Sequence, residues 1–172
     1  MSEPRPPDLE ALDRTRREIA GGQEKGRAAF TSITEWKEGA RSISQLRGHS
    51  VATDEPQALG GQDEAPDPME LLLAALGSCL TIGWVKQAEL RGVTVRSLKI
   101  TVSAPYDLRG YLDLAEEVRP GFSELVYQVT VDCDASPTLQ AEIMAAAERS
   151  SPLFDNILNG TPLRGVLAPP EA

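Results

Sequence analysis

From Pro68 to Arg91, apolar residues recur on nearly every side of a helical wheel. Leu72, Ala75, Leu76, Cys79 and Gly83 share one stripe at spacings of three and four, while Leu71, Ala74, Leu80 and Trp84 cover other sides. The pattern predicts one long helix of about 36 Å at 1.5 Å per residue. A helix apolar nearly all round is a central helix, buried on most faces. Asp67 suits its N-cap and Pro68 its first turn, where the missing N–H costs nothing. Gly92 marks its end. The small residues Ala74, Ala75, Gly77, Ser78 and Gly83 let another backbone approach closely.

On either side the period changes to two. AAFTSITEW alternates and KEGARS supplies a turn, which predicts two or three short strands between residues 28 and 53, with Arg41, Ile43 and Gln45 on one face of the second. DEPQALGGQDEAPDP is dense in Gly, Pro and Asp and reads as a loop of fixed turns, with Asp54, Glu55 and Pro56 as turn formers. Beyond the helix, VTVRSLKITVSA alternates with a phase shift at Arg96-Ser97, and SELVYQVTVDC alternates again. YDLRGYLDL, between them, reads as a continuation or a hairpin. Ser136 then caps a helix with the stripe Leu139, Ile143 and Ala147; SPLFDNILNG is a second, short helix ending at Gly160; PLRGVLA closes as a strand. At the other end, residues 1–7 are Pro-rich, and Asp8 caps a helix through Leu9, Leu12 and Ile19 that stops at Gly21-Gly22. Its thin apolar stripe predicts a surface arm, or packing on another subunit. The order of strands, long helix, strands, helices, strand is segregated, which argues α+β rather than a βαβ repeat. The arm takes residues 1–27 and the single folded domain residues 28–172.

The 172 residues carry a formal net charge of -9 and show no clustered Lys/Arg patch with interleaved aromatics, which excludes nucleic acid as an expected partner. The N-terminus lacks the apolar stretch of a secretory signal. The run Leu71 to Val85, interrupted by Gly77, Ser78 and Thr81, falls short of the roughly 20 apolar residues that span a bilayer. Two cysteines far apart, no CxxC and a single histidine predict no metal site. The expected location is the reducing cytoplasm, away from membranes. LGGQ has neither the spacing nor the context of a phosphate-binding loop.

The candidate chemistry is the thiol of Cys79. A free cysteine on an apolar stripe is either a small hydrophobic filler or a nucleophile. The second role requires a nearby cation or a helix N-terminus to favour the thiolate. Cys79 lies about three turns into its own helix, beyond the useful reach of that helix's dipole. The residues alone leave both readings open. His49 reads as a solvated polar residue or a pocket-lining one. Trp84 and Phe154 read as core or interface, with an apolar pocket as the alternative, and Cys133 as structural.

Four blocks carry a resemblance. DEPQALGG, DPMELLLAALGSCL, GFSELVYQVTVDCDAS and SSPLFDNI, in that order across roughly residues 30 to 168, resemble the OsmC/Ohr family of thiol-dependent peroxidases. The resemblance implies an OsmC-like fold, with curved antiparallel sheets wrapped around a long Cys-bearing helix in an intertwined homodimer whose two active sites lie at the subunit interface. It implies that Cys79 is the peroxidatic residue, attacking an organic or fatty-acid hydroperoxide and becoming a sulfenic acid. Arg41 is the best match for the arginine that pairs with the thiolate, with Lys37 and Arg47 as competitors. The family's orienting glutamate falls where this chain has Met69; Glu70 is one residue on, turned by about 100° on a helix, and its other role is a first-turn acid favoured by the helix dipole. The family's resolving cysteine falls at Ser151, and a serine cannot form the disulfide. The implied activity is therefore a one-cysteine hydroperoxide reductase that needs no cofactor beyond an external thiol or dithiol. His49, Trp84, Ser151 and Phe154 are the expected binding residues. The alternative is a divergent OsmC-like homodimer that binds a small apolar ligand or thiol without peroxide turnover.

Overall fold

The computed structural model describes residues 5–169. Along the chain come α1 (Leu9–Ala20), β1 (Ile33–Glu38), β2 (Arg41–Leu46), β3 (His49–Thr53), α2 (Pro68–Glu89), β4 (Val95–Ser103), α3 (Leu108–Tyr111), β5 (Val126–Cys133), α4 (Pro137–Arg149) and α5 (Pro152–Asn159). The first three strands form an antiparallel meander, and β4 and β5 form a separate antiparallel pair. This is the expected α+β arrangement of small antiparallel sheets about a long helix.

Local chemistry sets most boundaries. The Asp67 side chain accepts from the Met69 N–H, and the Glu70 carboxylate accepts from the Asp67 N–H at 3.0 Å, completing a capping box at the start of α2. Just past its end Gly92 takes φ +69°, a conformation that favours glycine. Asp8, Ser136 and Ser151 cap α1, α4 and α5 in the same way. The phase shift at Arg96-Ser97 is a register irregularity between Val95 and Ser97 in the β4–β5 ladder. It lets Val95, Leu98, Ile100 and Val102 turn inward together.

The core lies where β4 and β5 meet α2 and α4. Trp84, Ala88, Val93, Ile143 and Ala147 are buried there, with Leu98, Val129, Val131 and Cys133 packed against them. Gly83 sits against Ala147, where an added Cβ would lie 3.4 Å from that residue's Cβ. The small residue brings α2 and α4 close together.

Three expectations need correction. Within the chain α2 is not buried on most faces. Only Leu76, Leu80, Gly83, Trp84 and Ala88 are buried; Leu76 and Gly83 belong to the expected stripe, whereas Ala75 is exposed and Leu72 and Cys79 are half-buried, because α4, α5 and β4 cover one side of the helix. Ala74, Ala75, Ser78 and Ile82 are exposed. Residues 162–168 form no strand; the segment is irregular and exposes Leu163, Val166 and Leu167, since a strand needs a partner edge. YDLRGYLDL is neither strand nor hairpin: Asp107 caps the short helix α3 by accepting from the Arg109 N–H. In addition, α2 reaches 22 residues, enough by length and composition alone to cross a membrane. It instead packs one face against α4 and β4, as a core helix does.

The arm helix α1 has no buried residue and makes its main contacts with the 3-10 turn Gln23–Gly26 that follows it. Residues 1–4 of the Pro-rich N-terminal stretch lie outside the described residues.

Candidate active site

Cys79 lies half-buried at the middle of α2, with its sulfur 3.1 Å from the Ser151 hydroxyl. Two sequence features 72 residues apart thus meet. The meeting follows from the packing of α5 on α2 and from a sharp α4–α5 corner, in which the Ser151 N–H donates to the Glu148 carbonyl at 3.1 Å. Ser151 is 2% exposed and caps α5, its hydroxyl oxygen accepting from the Phe154 N–H at 3.2 Å. The Phe154 ring meets Tyr127 edge to face at 6.5 Å, and the Tyr127 hydroxyl donates to the Glu148 carboxylate. Burial, then that carboxylate, pushes the Tyr127 phenol well above its usual range. Tyr127 therefore stays a neutral donor, and it ties β5 to the corner that presents Ser151.

Arg41 occupies a second cluster. Its Nη1 pairs with Glu64 at 2.9 Å, and its buried Nε has no hydrogen-bond partner. Behind it Asp54 is 2% exposed and accepts from the backbone N–H groups of Glu55, Gln62 and Glu64. These bonds, the one from Glu64 foremost, hold the Asp54 carboxyl below its usual range against the cost of burial, and the Arg41 charge adds to the effect. Asp54 thus folds the 54–66 loop around itself. Gly61 is enclosed so tightly that a Cβ would fall 1.8 Å from the Glu55 carbonyl oxygen. A recess of about 250 Å³ opens between Arg41, Asp54, Gly60 and Glu64. Nearby, burial and the Asp67 carboxylate push the Glu55 carboxyl up.

The structure thus brings Cys79, Ser151 and Phe154 together. Arg41 lies with Glu64, and Glu70 is engaged at the α2 cap. His49 opens β3 on an exposed position opposite Leu46, and Trp84 lies in the core at 2% exposure. Glu64 escaped the sequence reading because its loop gives only turn signals. Its spacing from Arg41 carries no periodicity.

Elsewhere on α2, Leu73, Ala74, Gly77, Ser78, Thr81 and Ile82 form an open apolar groove of about 570 Å³ with Ile100 and Val102 of β4. Among the described residues no group of His, Cys, Asp and Glu side chains is placed to hold a metal ion.

Several solved structures share this fold. An OsmC-like protein from Mycoplasma pneumoniae is 16% identical, with a TM-score of 0.61 over 78% of this chain and 88% of its own. An organic hydroperoxide resistance protein OsmC from Legionella pneumophila is 19% identical, with a TM-score of 0.54 over 78% and 93%. An organic hydroperoxide resistance protein from Elizabethkingia anophelis is 14% identical, with a TM-score of 0.56 over 79% and 91%. At these identities the likeness establishes the fold alone. No curated protein matches the sequence significantly. The family model described as OsmC-like protein matches residues 61–164, more than half of the chain and all of the helix that carries Cys79. The chain belongs to the OsmC-like protein family.

Proposed function

We propose that the protein is a one-cysteine hydroperoxide reductase. The Cys79 thiolate attacks one peroxide oxygen, the O–O bond breaks, and the alkoxide leaves and takes a proton to become the alcohol. Cys79 is left as a sulfenic acid. One external thiol then displaces water to give a mixed disulfide, and a second releases Cys79 as the thiol with formation of the external disulfide. The single observation that carries this reading is a half-buried thiol facing a buried hydroxyl at 3.1 Å, on the central helix of an OsmC-family chain. The names of the Legionella and Elizabethkingia proteins point the same way. A hydroxyl at that distance offers no second sulfur, so the reductant comes from outside.

Arg41 is the cation of this reading, and Glu64, not Glu70, is the carboxylate that orients it. The working unit is a homodimer in the cytoplasm. Three observations support the dimer: the exposed apolar face of α2, the exposed Phe30 together with Ile33 and Trp36 of β1, and the exposed Leu163 and Leu167. Both cysteines are free, which suits a reducing compartment. The open apolar groove beside Ser78 favours a second reading, a binding protein for a small apolar molecule without peroxide turnover.

Consumption of cumene hydroperoxide with dithiothreitol decides between them. The wild type is expected to exceed Cys79→Ser by orders of magnitude. Equal rates would remove the reductase reading and leave the binding one.

A further inference from the structure

We infer that Ser151 is a catalytic residue whose hydroxyl donates to the Cys79 sulfur and favours the thiolate. This role deepens the reductase reading but stands on the geometry of the reduced thiol.

A hydroxyl has one hydrogen and two lone pairs. In Ser151 one lone pair is engaged by the Phe154 N–H, the bond that caps α5. Among the described residues its other hydrogen-bond neighbour is the Cys79 sulfur, at 3.1 Å. A neutral thiol can donate to the free lone pair or accept the hydroxyl hydrogen. A thiolate has no hydrogen, so only donation by Ser151 preserves the contact. A hydrogen bond to an ionised acceptor is roughly twice as strong as a neutral one. The contact therefore gains on deprotonation, which biases the sulfur towards its reactive form. Placement at the start of the eight-residue α5 adds in the same direction, because the positive end of that helix faces the sulfur through its own cap.

The hydroxyl is also held in place. Ser151 is 2% exposed, its backbone N–H is tied to Glu148, and Glu148 is tied to Tyr127, whose ring packs on Phe154. Rotation away from the sulfur would break the α5 cap and place a buried hydroxyl where it has no partner. After peroxide attack the same hydroxyl faces the oxidised sulfur. It cannot displace the sulfenic oxygen as a thiol would, so the sulfenic acid persists until an external thiol arrives.

The test is the rate at which iodoacetamide alkylates Cys79 in the folded, reduced protein, followed by peptide mass spectrometry across pH. Ser151→Ala removes donor and cap together. Ser151→Gly removes the donor, adds no charge and costs the helix cap little. Ser151→Thr keeps the hydroxyl. At neutral pH Ala is expected to slow alkylation roughly tenfold, the scale of a hydrogen bond to a charged group. Gly should slow it to a similar degree, Thr should retain most of the rate, and both slow variants should shift the pH profile to the alkaline side. If Ser151 only caps α5, Gly will match the wild type in rate and profile, and the inference fails. If Ala does not fold, the contrast between Gly and Thr decides the same question. Alkylation involves no peroxide. A Ser151 effect without peroxide turnover would thus keep the donation to the Cys79 sulfur and sink the reductase reading, and turnover without a Ser151 effect would do the reverse.

Discussion

Replacing Ser151 by cysteine should turn the contact at Cys79 into a disulfide. The hydroxyl oxygen lies 3.1 Å from the sulfur, and a disulfide closes at about 2.05 Å, so the two sulfurs need to approach by about 1 Å. A modest side-chain rotation supplies that distance. The bond would join positions 72 residues apart. The chain-entropy relation for such a loop gives a stabilisation of about 4 kcal/mol, less any strain. For a chain of this size that corresponds to a rise in Tm on the order of 10 °C. The assay combines thiol titration under denaturing conditions, intact mass before and after stoichiometric diamide, and thermal melts with and without dithiothreitol. One free thiol per chain, a loss of two hydrogens and a reductant-sensitive rise in Tm are expected. A folded Ser151→Cys protein that keeps three titratable thiols after oxidation would show that the Cys79–Ser151 geometry is wrong. The role of Ser151 at the sulfur would fall with it.

Ile143 is fully buried between α2 and the β4–β5 sheet, and Ile143→Ala should cost about 2–5 kcal/mol in urea unfolding. Asp54 is held below its usual carboxylate range, so its stabilisation is complete above the unfolded value of about 3.9 and is lost as pH falls through the lower folded value. Acid titrations of stability should therefore be shallower for Asp54→Asn than for the wild type, and identical slopes would remove the loop-anchoring role. Ile82 is 67% exposed and lines the apolar groove on α2. Ile82→Glu should convert a dimer to a monomer in analytical ultracentrifugation, and a wild-type protein that sediments as a monomer at micromolar concentration would contradict the dimer.

What the sequence disclosed was local. Asp67-Pro68, Ser136-Pro137 and the Arg96-Ser97 shift each set a cap or a bulge through neighbours a few residues away, and each appears at the expected place. The failures were matters of coverage. Apolarity around α2 says what would be favourable to bury, whereas only a packing partner decides which stripe is buried; the chain itself supplies a partner for Leu76, Leu80 and Trp84 and none for Ile82. PLRGVLA has a strand's composition, but among the described residues it pairs with no sheet edge. At the site, resemblance points to Cys79 and Ser151, but their contact depends on the α4–α5 corner. The Glu64–Arg41 pair depends on how Asp54 gathers its loop, and no pattern in that loop announces it.

The most direct measurement is trapping of a sulfenic acid. The reduced, full-length protein is treated with one equivalent of cumene hydroperoxide in the presence of dimedone, and the modified residue is located by peptide mass spectrometry. Near-complete labelling of Cys79 with Cys133 unlabelled, abolished in Cys79→Ser, is predicted. An unlabelled Cys79 in folded protein that still accepts iodoacetamide would contradict peroxide reduction at this thiol.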